Sequence, residues 1–200
     1  MYKTGHYGTA LLAYAPIALF LTYTEQYLPL LLGWFIVISV TRIPDWDMWL
    51  PIPHRGPTHT VWFALFMGLL VAGFVAGIIY LVGDIYSTFI GYEPNTYTIV
   101  GAALFGFSMG VLSILAHLLG DIITPTGIRP FAIRGRMTKR YRFVVARAAN
   151  ELANDAIFTL GFVLLIGAVV LGAYLNGTLP ALPTIEWPFP APDLPPPPNF

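Results

Sequence analysis

The sequence predicts an all-α fold, a polytopic membrane helical bundle of about five transmembrane helices. Three observations carry this. Hydrophobic residues make up 56% of the chain and charged residues only 10%, against roughly 25% charged in soluble domains, so the surface is matched to lipid. Apolar residues gather into five runs, at about 7–24, 28–43, 58–82, 98–122 and 156–176, near the length of about 17 to 25 residues that crosses a bilayer. Basic residues are confined to alternate connections between those runs.

The first two runs are short and share the polar turn Thr24-Glu25-Gln26, so they read as a helical hairpin. The first is read as a retained helix rather than a signal peptide: Lys3 is its one basic residue, and Leu21-Thr22-Tyr23-Thr24 after Phe20 is too bulky for cleavage. Pro44, Pro51 and Pro53 make the segment after the second run a rigid, non-helical connector. The third run opens beyond Gly56 and Pro57, a residue suited to a first helical turn. It contains Gly68, Gly73 and Gly77, and the fourth run contains Gly101, Gly106 and Gly110. Such spacing lets helix backbones approach closely in lipid, although glycine is common in membrane helices for other reasons too. From Leu179 the chain is proline-rich and should be extended or disordered. Residues 1–178 therefore form the membrane domain and 179–200 a tail, read as an inert extension.

Seven of the ten basic residues lie between the fourth and fifth runs: Arg129, Arg134, Arg136, Lys139, Arg140, Arg142 and Arg147. Arg42 and Arg55 flank the connection between runs two and three, and Lys3 begins the chain. The connection at 83–97 and the tail carry acids and no basic residue. The positive-inside rule then places the N-terminus and the connections at 44–57 and 123–155 in the cytoplasm. Zero formal net charge and a pI near 6.9 exclude a nucleic-acid partner, which needs a basic stripe. The absence of cysteine removes disulfides and thiolate ligands from consideration.

That topology, drawn from Lys and Arg alone, brings the imidazoles and several carboxylates to one membrane face. His6 stands at the start of the first run, Asp45 and Asp47 in D-W-D after the second, His54 and His59 in H-R-G-P-T-H before the third, and His117 and Asp121 in H-L-L-G-D at the end of the fourth. His117 and Asp121, four apart, share one helix face. Ionisable groups at mid-bilayer cost about 2.5 to 3.5 kcal/mol each on insertion scales, which makes an accidental gathering of seven improbable. Imidazole and carboxylate together suit a divalent metal, zinc above all, with manganese as the alternative.

These motifs carry a resemblance. T-G-H-Y-G, P-D-W-D, H-R-G-P-T-H and H-L-L-G-D-I-I-T-P-T-G, in that order over about residues 1–130, resemble the YdjM-like family of membrane-bound metal-dependent hydrolases, some bacterial members of which are LexA-regulated. The resemblance implies metal ligands at His6, Asp45, Asp47, His54, His59, His117 and Asp121, with Glu151 in A-N-E-L-A-N-D as a further candidate. It also implies a multi-pass protein of a prokaryotic plasma membrane. More distantly, the His and Asp arrangement looks like zinc-dependent phospholipase C, which suggests phosphoester hydrolysis.

The expected function is hydrolysis of a phosphoester, such as a phospholipid or lipid-linked phosphate, at the cytoplasmic face by one to three divalent ions. Asp45 or Asp47, whichever does not ligate, is the expected general base. Arg55 is placed to clamp a phosphate, or else to anchor the chain at the basic membrane face. A metal-ion transporter or sensor and a structural metal site are the alternatives; a transporter would place ligands near mid-bilayer.

Overall fold

The computed structural model describes residues 1–90, 95–133, 138–145, 147 and 150–179. Glu93, Arg134, Arg136 and the proline-rich tail from residue 180 lie outside the described residues. Five α-helices follow one another: α1 (Lys3–Tyr23), α2 (Tyr27–Val40), α3 (Val61–Ile90), α4 (Thr96–Ile122) and α5 (Glu151–Leu175). Among the described residues no strand forms, and an isolated bridge joins Ile128 to Tyr141.

α1 packs chiefly along α5 and also touches α2 and α4, while α3 pairs with α4. That central position explains the composition of α1. Among the described residues four segments are long and apolar enough to cross a membrane: α3 through Ile85, α4, α5, and α2 together with its continuation to Trp49. The remaining helix, α1, carries Thr4, His6, Tyr7 and Thr9 in its first turns, but it buries Gly5, His6, Gly8, Ala10, Leu11 and Tyr14 against neighbours. Much of its length is covered by protein, so it does not need the apolarity of a lipid-facing helix.

α2 has 14 residues, about 21 Å at 1.5 Å per residue, which is shorter than a hydrocarbon core of about 30 Å. A 3₁₀ helix, Ile43–Trp49, extends it. The connector expected to be non-helical is therefore helical around the two aspartates. Pro44 lies in its first turn, where a preset φ favours helix rather than opposing it. With three residues per turn, positions three apart eclipse. Trp46 and Trp49 accordingly share one face and are 48% and 77% exposed, while Asp47 is buried at 1%.

A second 3₁₀ turn, Pro57–His59, precedes α3. Thr60 interrupts it and accepts the Phe63 N–H on its Oγ1 at 3.2 Å, which is why α3 begins at Val61 rather than at 58. Asn95 and Asn150 cap α4 and α5 in the same way, accepting from Thr98 N (2.9 Å) and Ala153 N (3.1 Å). The chain after α4 folds back on the helix end: Phe143 N donates to Ile122 O, Val145 N to Ile123 O, and Val61 N to Pro130 O. The carbonyls left open at the end of α4 and the first N–H of α3 are thus satisfied by one polar cap.

Large apolar side chains cover the outside. Leu69, Phe74 and Leu81 of α3 and Leu160, Phe162 and Val163 of α5 are each more than half exposed. Apolar area of that extent is stable in lipid, not in water. The glycines of α3 and α4 divide into two groups. A Cβ on Gly110 would come within 3.0 Å of Gly68 Cα, and one on Gly106 within 3.1 Å of Val71 O, but nothing lies within 4 Å of Gly73, Gly77 or Gly101. Among the glycines of the described helices the tightest backbone approach is between α1 and α5, where a Cβ on Gly8 would meet the Ile157 backbone at 2.6 Å and one on Gly161 would meet Gly8 O at 2.5 Å. Gly161→Val should therefore destabilise the detergent-solubilised protein by roughly 1–3 kcal/mol, the usual cost of overpacking. Gly77→Val should leave the thermal midpoint unchanged, and equal losses for both would contradict the α1–α5 contact.

Candidate metal centre

Two helix ends and two 3₁₀ segments meet where the polar residues gather. α1 contributes His6, the 3₁₀ helix after α2 contributes Asp45, the turn before α3 contributes His59, and the last turns of α4 contribute His117 and Asp121. Their donor atoms converge. His59 Nε2 and His117 Nε2 lie 3.2 Å apart. Asp45 Oδ1 lies 3.6 Å from both, and Asp121 Oδ2 lies 3.3 Å from His59 Nε2 and 3.6 Å from His117 Nε2. His6 Nε2 is 3.9 Å from Asp45 Oδ2 and 3.9 Å from Asp121 Oδ1. Two ligands bound at about 2.0–2.2 Å to one ion are separated by roughly 2.8–4 Å, depending on the angle between them. These five side chains have that spacing.

The chemistry of the donors agrees. His6 Nδ1 and Nε2, His117 Nδ1 and Asp121 Oδ2 are buried without a hydrogen-bond partner, and each such orphan costs about 1–3 kcal/mol in an unfilled site. The network also assigns the His59 tautomer. Thr58 Oγ1 donates its single proton to Asp47 Oδ2 at 2.9 Å, so toward His59 Nδ1, at 3.0 Å, it can only accept. The proton then resides on Nδ1 and the Nε2 lone pair faces the other donors. Burial alone lowers the pKa of His59, but the neighbouring carboxylates of Asp121, Asp45 and Asp47 outweigh it and hold the imidazole above its ordinary value. The centre favours a positive charge at that position. A proton supplies one such charge and a divalent ion two.

Asp47 stands behind His59 rather than among the donors. It accepts from Thr58 Oγ1 and the Arg55 backbone N–H (3.1 Å) and pairs with His54 Nδ1 at 2.8 Å. Its Oδ2 lies 3.3 Å from His59 Nδ1. With an ion on His59 Nε2 this would be the carboxylate–histidine–metal relation, in which the outer carboxylate fixes ring orientation and raises ligand basicity. Asp47, expected as a ligand or general base, is buried and has both oxygens engaged by His54, Arg55 and Thr58.

Arg55 has φ +61°, a left-handed conformation uncommon for a side-chain-bearing residue and characteristic of functional turns. It donates its backbone N–H to Asp47 and its guanidinium to Asp121 Oδ1 at 2.7 Å and to Thr126 Oγ1. The Met1 ammonium lies 3.4 Å from the same Asp121 oxygen.

His6, His117 and Asp121 form one group with metal-binding spacing, and Asp45, His54 and His59 form a second beside it. His54 is 44% exposed and held by Asp47, so it stands at the rim. Glu151 belongs to neither group; it is exposed at the first turn of α5 and lines a surface cleft with Lys3 and Asp155. The α5 residue that reaches the N-terminal segment is Asn154, buried, whose Oδ1 accepts from Tyr2 N at 3.0 Å. Sequence reasoning missed Asn154, Thr58 and Thr126, which carry none of the charge or ligand chemistry that singles out a residue in a sequence.

The profile of the YdjM inner membrane protein family matches residues 1–179. The chain belongs to that family. With its apolar helices this makes it a multi-pass membrane protein. No curated protein and no solved structure matches the chain, so the likeness to zinc-dependent phospholipase C rests on residue arrangement alone.

His117→Ala and Asp121→Ala should each abolish binding of a divalent ion, read as metal per chain by mass spectrometry after purification. Asp47→Asn should weaken metal affinity by only about 10- to 100-fold, the usual effect of losing an outer-sphere partner. Retention of full metal content by His117→Ala would remove this assignment.

Proposed function

We propose that the protein is a membrane-bound, zinc-dependent hydrolase that cleaves a phosphoester at the cytoplasmic headgroup level. The observation that carries this reading is the convergence of five donor side chains, linked through the Arg55–Asp121 ion pair to a cleft of about 400 Å³. His54, Arg55, Thr126, Arg129 and Arg140 are among its lining residues. The exposed Trp46 and Trp49 on the 3₁₀ helix that holds Asp45 suit the membrane–water interface, where tryptophan concentrates. The basic residues near the same end agree with a cytoplasmic orientation.

His6, His59, His117 and Asp121 would hold the ion. When bound, zinc supplies Lewis-acid polarisation of a phosphoryl oxygen and acidification of water. Asp45, partly exposed, takes the proton of the attacking water, a role that its burial denies to Asp47. Arg55 spans from Asp121 to the cleft, where its guanidinium offsets charge on the phosphoryl oxygens as the ester P–O bond breaks. Asp47, His54 and Thr58 hold His59 and the Arg55 backbone in place.

A transporter would need polar groups along a route to the far side. Beyond the centre, the buried core of the described residues is chiefly apolar, including Ala10, Tyr14, Val37, Ala64, Met67 and Ile114. Thr22, Thr41 and Ser113 donate there to backbone carbonyls. That core favours an enzyme over a conduit.

Detergent-purified protein with zinc or manganese should cleave a phosphodiester or phospholipid, lose this activity to a chelator, and regain it with metal. Arg55→Lys should lower kcat/KM by about 100-fold, comparable to loss of one transition-state donor. Metal flux in sealed proteoliposomes without ester cleavage would overturn the enzyme reading.

A further inference from the structure

Two surfaces beside the metal centre meet. The first is the polar cleft, in which Arg55, Arg129 and Arg140 are brought together. Among the described residues only Arg55 of the three has a carboxylate partner, Asp121. The Nε atoms of Arg55 and Arg129 are buried without a hydrogen-bond partner, and Arg140 makes one long contact, to Thr126 O at 3.4 Å. Three guanidiniums, of which Arg55 alone meets a carboxylate, leave the cleft with surplus positive charge and unused donors. The second surface is an apolar groove of about 520 Å³ at the start of α3, lined by Trp62, Phe63, Phe66 and Ile133 with Pro57 and Ala132. Ala132 lines both. Trp62 and Phe66 are about half exposed on the lipid-facing side of α3.

We infer that the protein binds an anionic phospholipid, with its phosphate headgroup in the arginine cleft and one acyl chain in the groove along Trp62, Phe63 and Phe66. Charge complementarity selects the headgroup and continuity through Ala132 selects an amphiphile. Guanidinium forks match phosphate oxygens bidentately, and the aromatic wall accepts methylenes while removing them from the headgroup region. A free phosphate ester would use only the cleft and leave the groove without an occupant. The inference rests on the hydrolase reading for the fate of the lipid but not for its binding. It extends that reading by naming the substrate class, a phospholipid entering laterally.

The test uses the full chain in detergent with a phosphatidic acid bearing a diazirine on one acyl chain. After photolysis, the cross-linked peptide should contain residues 62–66. Labelling there should be displaced by excess unlabelled phosphatidic acid and not by phosphatidylcholine, and Arg129→Gln with Arg140→Gln should weaken it by roughly fivefold per arginine, the worth of one basic residue at an anionic membrane surface. Uniform labelling of all lipid-facing helices, unaffected by headgroup or by the double variant, would overturn the proposal. So would cleavage of a water-soluble phosphodiester without headgroup-selective labelling, a result that leaves the hydrolase reading standing. Selective labelling with no cleavage of any ester would support the lipid site and remove the hydrolase reading.

Discussion

The structure is organised around an electrostatic constraint: carboxylates and imidazoles taken out of water must be given a compensating charge. Asp47 and Asp121 are each 1% exposed and Asp45 is partly exposed. Against these three side-chain carboxylates the described residues set the Arg55 guanidinium and the Met1 ammonium, both on Asp121 Oδ1. The carboxylates remain in excess, and a bound cation would offset them. Burial of unpaired ions is otherwise among the costliest arrangements a protein can adopt. The helix ends, the two 3₁₀ turns and the strained backbone at Arg55 are the means by which this chain brings those charges to one point.

The rest of the fold can be understood as support for that point. α1 has to deliver His6 from inside the bundle, and its glycine contacts with α5 let it approach closely enough. His6 then stacks on His117 with ring centroids 3.8 Å apart. The cap formed by residues 122–133 and 138–145 closes the end of α4 beside Asp121, where Thr124 Oγ1 donates to the Asp121 carbonyl at 2.8 Å. The centre thus lies at the polar edge of an apolar bundle, and the arginine cleft is continuous with that edge.

Much of this was legible in the sequence because it depends on quantities a sequence carries directly. Apolar run length located the helices, and the basic residues fixed which ends lie together, so His6, Asp45, His59, His117 and Asp121 could be placed at one face before any geometry was known. What the sequence could not separate were residues alike in chemistry and close in position. Asp45 and Asp47 differ only by where a 3₁₀ helix turns them, one toward the histidines and the other behind His59. On α5 the acids Glu151 and Asp155 appear the better ligands, yet packing buries Asn154. Gly68 and Gly77 have the same identity on the same helix, and only the partner helix distinguishes a contact from a lipid-facing position.

The coordination sphere itself is the most direct test of the account. X-ray absorption at the zinc edge of the zinc-loaded, detergent-purified protein should give a first shell of nitrogen and oxygen at about 2.0–2.1 Å, with outer-shell scattering from three imidazoles, those of His6, His59 and His117. A first shell of oxygen alone, without imidazole scattering, would contradict the centre described here.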